Sequence, residues 1–220
     1  MINHHPAEEL LLAQTAGQLR TGPGLVVAAH IEACPACRQR AQLMLAVGGE
    51  ILARTPPDEL SSDAFANVMR RIDAPTVTHN PSESTKPTTA RSASDTAQVT
   101  SRLLAGCASE PWRWAGPGIR ISRIHVPNAD SERLFLLKIA PGRSLPAHTH
   151  RGRELTHVLS GSFDDGRSHF GPGDFDETDH DVSHQPLVNS AQQCVCLTYL
   201  DGPLQMETWL ARTTARWIGL

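Results

Sequence analysis

The sequence predicts a multi-domain α+β protein, an all-α segment followed by an all-β one, and three observations predict it. Aromatic residues are unevenly spread over the 220 residues: Phe65 is the only one before residue 74, while all four tryptophans, Tyr199 and the other four phenylalanines follow residue 101. Residues 74–101, APTVTHNPSESTKPTTARSASDTAQVTS, are rich in Ser, Thr, Pro and Ala and carry no apolar periodicity. Such a stretch buries too little surface to offset its chain entropy and reads as a linker. Finally, Leu, Ala, Val and Met build the apolar stretches before it, whereas β-branched and aromatic runs separated by glycine turns follow it. The expected division is a helical domain over 1–73, a flexible linker over 74–105 and a β domain over 106–220.

In the first segment, residues 7–19 place Leu10, Leu11 and the alanines 13 and 16 on a helical stripe. Gly22-Pro23-Gly24 is expected to break the chain, with a second helix over 25–33. Pro35 suits the first turn of a third helix running to about Arg54, which Pro56-Pro57 would stop. Ser61 or Ser62 is expected to cap a last helix over 63–72, whose Phe65, Val68, Met69 and Ile72 form one apolar face. In the second segment, β-like runs cover 119–126, 133–139, 155–159, 168–170, 194–200 and 204–210, which points to a sandwich or barrel.

Charge narrows the function. The formal net charge is −3, and residues 1–75 carry six Arg against eight Asp and Glu, so grasping a phosphate backbone is not expected. No apolar run reaches the roughly 20 residues of a membrane span, and the start lacks the pattern of a signal peptide. The cytoplasm is the expected compartment. Cys34/Cys37 and Cys194/Cys196 are close pairs and Cys107 stands alone, which in such a chain suggests metal or redox chemistry.

Two constellations carry that chemistry. His30, Cys34 and Cys37 follow one another at spacings of four and three, with Pro35 forcing a fresh helix start between the cysteines. All three can meet at a helix–turn–helix corner, where helix N-terminal amides favour thiolate. Structural zinc takes four tetrahedral ligands, so a fourth is expected from His5 or His4. A CxxC redox pair is the competing reading.

The second constellation is His148-Thr-His150, then Glu154 after a short Arg-Gly turn, then Gly171-Pro-Gly173-Asp174, then His184. His148 and His150 alternate along a strand and share a face, and Glu154 can point back into the same cavity. His157 is out of phase with Glu154 and is expected on the opposite face. His125, His169 and His180 read as surface residues, with His180 a substitute for His184. Cys194 and Cys196 share one strand face, as barrel core or as a redox pair.

The pattern HxHx(3)E, GxGD and a later histidine resembles the cupin pattern, in which three histidines and one glutamate bind a divalent metal inside a jelly-roll barrel. The resemblance assigns those roles to His148, His150, Glu154 and His184. It implies zinc foremost, with iron, manganese and nickel also accepted by such a set.

The two halves together resemble the ChrR family of zinc anti-sigma factors, through HHPAEELL, LVVAAHIEACPACR, AVGGEIL, AHTHRGRELTHVLSGSF and CVCL. The resemblance places zinc on His5, His30, Cys34 and Cys37. It implies a non-enzymatic regulator whose N-terminal module binds one extracytoplasmic-function sigma factor, and whose cupin is needed for release under singlet oxygen or related oxidants. Leu25, Val26, Phe65, Val68, Met69 and Ile72 are the candidate partner anchors. The rival reading is a metal-dependent cupin dioxygenase. Homodimerisation is left open.

Overall fold

The computed structural model describes residues 1–74, 102–129 and 131–206, apart from the side chains of His150 and Met206. The linker stretch 75–101 and the end of the last expected strand, 207–210, therefore lie outside the described residues. Four helices come first: α1 (Glu8–Thr15), α2 (Thr21–Ala33), α3 (Pro35–Arg54) and α4 (Ala64–Asp73). Eleven strands follow among the described residues: β1 (Ala108–Ser109), β2 (Arg113–Gly116), β3 (Ile119–His125), β4 (Arg133–Ile139), β5 (His148–His150), β6 (Glu154–Ser160), β7 (Phe163–Asp164), β8 (His169–Phe170), β9 (Phe175–Thr178), β10 (Cys194–Leu200) and β11 (Leu204–Met206).

Two helix starts differ from expectation. α2 begins at Thr21, so Gly22-Pro23-Gly24 forms its first turn instead of breaking the chain. A proline costs nothing there, because first-turn amides have no intrahelical partner. α4 starts after Asp63, and neither Ser61 nor Ser62 caps it. The Ser61 carbonyl instead accepts from the Ala64 amide in the preceding turn.

The main sheet is antiparallel, in the order β1-β3-β4-β10-β6-β9 with β2 on β3. Shorter pairs β5–β11 and β7–β8 complete a cupin-like barrel, closed near the site by a bridge between His148 and His184. On β6 the faces alternate. Val158 joins Ile119, Ile139, Phe163, Phe170, Val188, Cys194 and Cys196 in one core cluster. Leu155 and Leu159 face the other way, into a cluster with Leu10, Leu11, Val26, Val27, Leu197 and Tyr199. That second cluster seats α1 and α2 on the outer face of β6 and β10. Burying each large apolar side chain there stabilises by about 1.5–3 kcal/mol.

Packing thus divides the chain differently from its order of helices and strands. One compact unit comprises residues 1–46 with 91–220, and the other residues 47–90. The reason lies in α2, where Val26, Val27, Ala29 and His30 are buried along one stripe. This corrects one expectation: Val26 is core, and Leu25 is partly buried against it, so neither is an open anchor. The α4 face is open, with Phe65 77%, Val68 54%, Met69 41% and Ile72 67% exposed. Among the described residues no helix is long and apolar enough to cross a membrane.

Candidate metal centres

The N-terminal centre is assembled by three local devices. α2 presents His30 near its end, Cys34 terminates that helix, and Pro35 restarts the chain so that Cys37 enters the first turn of α3. The segment before α1 delivers His5. Ligand atoms of His5, His30, Cys34 and Cys37 all lie within 4.8 Å of one another. His5 Nδ1 is 3.4 Å from His30 Nε2, 3.5 Å from Cys34 Sγ and 3.4 Å from Cys37 Sγ, while His30 Nε2 is 3.3 Å from Cys37 Sγ. A tetrahedral zinc with its usual bond lengths sets nitrogen–nitrogen and nitrogen–sulfur edges of about 3.3–3.6 Å. The donor set fits zinc in both chemistry and spacing. His4 is turned elsewhere, its ring donating to the His169 carbonyl at 3.1 Å and packing on Phe170.

The electrostatics agree. Burial, with His157 as the next influence, pulls His30 down to about 3, so its imidazole is neutral and ligand-ready. Burial, followed by the neighbouring Cys34, pushes the Cys37 thiol up to about 12. A buried thiol such as Cys37 ionises only when a cation compensates it. All five cysteines are free.

His30 is also held from behind. Its Nδ1–H donates to the Gly173 carbonyl at 2.9 Å, which fixes the tautomer and leaves Nε2 for a metal. Edge-on rings of Phe175 and His157 flank it at centroid separations of 5.5 and 5.6 Å. His157 does face away from Glu154, as its phase on β6 requires. It is fully buried, and its ring nitrogens make no well-formed hydrogen bond among the described residues, although the Asp174 backbone acts on the ring.

The barrel centre gathers His148, Glu154 and His184. The two Nε2 atoms are 3.1 Å apart, and Glu154 Oε2 lies 3.9 Å from the first and 3.8 Å from the second. Such a triangle brackets the edge of about 3.4 Å around a tetrahedral metal. The Pro146 carbonyl accepts from His148 Nδ1 at 2.8 Å, turning Nε2 inward, and Thr156 donates to Glu154 Oε1 at 2.9 Å. His150 is on β5 beside His148, and its side chain lies outside the described residues. His180 is exposed and pairs with Asp181, so it does not replace His184. His125 and His169 are exposed, as expected.

Cys194 and Cys196 are buried in the barrel core with their sulfurs 3.6 Å apart. The bond to Cys194, and then burial, hold the Cys196 thiol well above its ordinary value.

A Cys/His corner able to hold a metal, seated on a cupin barrel, is the class of protein that this fold and these clusters define. The ChrR Cupin-like domain family matches residues 100–204. The chain is 35% identical over 211 residues to the anti-sigma-E factor ChrR of Cereibacter sphaeroides, covering 96% of this chain and 95% of that protein. The crystal structure of Rhodobacter sphaeroides SigE in complex with the anti-sigma ChrR matches with a TM-score of 0.71 and 34% identity, covering 91% of this chain and 100% of the other. The chain belongs to the ChrR family of anti-sigma factors.

Sequence reasoning named the residues that cluster here, His5, His30, Cys34 and Cys37 and also His148, Glu154 and His184, but missed those that hold the first group from behind. The Gly171-Pro-Gly173-Asp174 motif was legible as a turn and as part of the cupin pattern, and nothing in its spacing to His30 signals that they meet.

Proposed function

We propose that this protein binds one extracytoplasmic-function sigma factor and keeps it from core RNA polymerase in the cytoplasm, through the helical region 1–73. The observation that carries the reading is the end-to-end similarity to ChrR, whose complex with SigE has been solved. The α4 face supports it: Phe65, Val68, Met69 and Ile72 are exposed on one short helix, the pattern of a helix laid in a partner's groove. Leu25 and Val26 are set aside as direct anchors because they are buried.

In this reading zinc at His5, His30, Cys34 and Cys37 staples the helical corner, a structural role suited to a closed four-ligand site. His148, His150, Glu154 and His184 would hold a divalent metal in the barrel, zinc foremost, where it orders the cavity of a detector of singlet oxygen or related oxidants. The non-enzymatic reading rests on the helical module, for which a free-standing dioxygenase has no use. Cys194 and Cys196 act as core first, since both are buried as thiols and a bond between them along one strand would be strained.

The test is coexpression with the sigma factor of its own operon or genome. Light scattering should find one copy of each chain, and transcription by added core polymerase should fall. Absence of a complex with every such sigma factor contradicts the reading.

A further inference from the structure

The zinc corner is built partly from the barrel. Besides the bond from His30 to Gly173, the segment that carries His5 is tied to the same turn. Asp174 Oδ1 accepts from the amides of Asn3 at 2.6 Å and His4 at 3.0 Å, while Oδ2 accepts from Gly171 at 2.8 Å. The Phe175 amide donates to the His4 carbonyl at 3.1 Å, which extends the edge of the sheet beyond β9 by one pairing. Asp174 is buried, and its turn needs Gly173: φ there is +90°, and a Cβ would come within 2.6 Å of Ile2 Cδ1.

Two of the four ligands therefore owe their position to the barrel. His30 is oriented by a backbone carbonyl of turn 171–174, and His5 hangs from a segment pinned by the carboxylate of that same turn. The remaining two, Cys34 and Cys37, are placed by the helix corner, at the end of α2 and in the first turn of α3.

We propose that turn 171–174 of the cupin is part of the zinc centre, with Asp174 a positioning residue for His5 and the Gly173 carbonyl one for His30, so that the barrel sets how tightly the helical module keeps its zinc. The inference rests on the reading of His5, His30, Cys34 and Cys37 as a zinc site. It gives the barrel a physical grip on the repressing module. β6 carries Glu154 on its inner face and His157, against His30, on its outer one, and β9 with its preceding turn lies beside it. Coupling of this kind is reciprocal: a barrel that holds the turn tightens zinc, and zinc tightens the docking of α2.

The experiment uses the full-length chain loaded with zinc, challenged with excess chelator, and reads alkylation of Cys34 and Cys37 by peptide mass mapping, which reports this centre and not the barrel site. Asp174→Ala is compared with Asn3→Pro, which deletes one amide donor and leaves the cupin sequence untouched. Loss of a positioning partner typically costs about 10–100-fold in metal affinity, so alkylation should quicken by about tenfold or more in both variants. The metal-free forms should alkylate alike, which separates loosened zinc from general unfolding. Wild-type protection in both variants overturns the inference and leaves the zinc site standing. Equal alkylation of the wild type with and without zinc overturns the zinc reading itself, and the inference with it.

Discussion

The Nδ1–H of His30 donates to the carbonyl of Gly173, 143 residues further along the chain, at 2.9 Å. This one bond joins a helix that carries one residue of a Cys/His corner to the turn that leads into β9. Both sites of the molecule can be understood from that seam: α2 lies on the outside of β6, and the barrel ligands lie on its inside.

Replacing Cys34 and Cys37 together with serine removes both thiolate donors. Zinc content of the N-terminal centre should fall to background by mass spectrometry under native conditions. Structural zinc contributes roughly 10 kcal/mol or more of apparent folding energy in small modules, so the corner should loosen. Sigma binding should disappear.

Replacing Glu154 with glutamine, or His148 with alanine, acts inside the barrel. Metal bound there should drop by about 10–100-fold in affinity while sigma binding persists. The expected phenotype is repression without induction by singlet oxygen, read from a reporter. Loss of sigma binding in these variants contradicts the division of labour.

On α4, aspartate at Phe65 or Ile72 touches an exposed face. Stability should change by no more than about 0.5 kcal/mol, whereas affinity for the sigma factor should fall by about 2 kcal/mol or more, as for a central apolar anchor. Isothermal titration beside chemical denaturation separates the two.

His157 is fully buried and makes no well-formed hydrogen bond among the described residues, with only the Asp174 backbone acting on its ring. An unsatisfied buried polar group costs about 1–3 kcal/mol. His157→Leu should therefore raise the denaturation midpoint, by about 1 kcal/mol after some repacking. A loss of stability shows that the Asp174 backbone satisfies the ring.

Much of this was legible in the chain. The 3.6-residue and two-residue periods separated helices from strands, α3 begins and ends where Pro35 and Arg54 suggest, and residue spacing pointed to both His/Cys/Glu clusters. Even the outward face of His157 followed from its phase with Glu154. The misreadings share a cause. Gly22-Pro23-Gly24 opens α2 because the first turn of a helix tolerates what its interior rejects. Val26 is core because the stripe it belongs to is covered by a sheet from the far half of the chain, and no local pattern states what will cover an apolar face. Gly173 and Asp174 were invisible as partners of the zinc corner for the same reason: their contribution is a carbonyl and a carboxylate brought close only by the tertiary fold.

The most direct test strips zinc from the purified full-length protein with its sigma factor present. Metal at His5, His30, Cys34 and Cys37 is followed by alkylation of the two cysteines, and the complex by light scattering. The expected result is dissociation in step with zinc loss, reversed when zinc is restored. A complex that stays intact, and still blocks core polymerase, while both cysteines react freely contradicts the account.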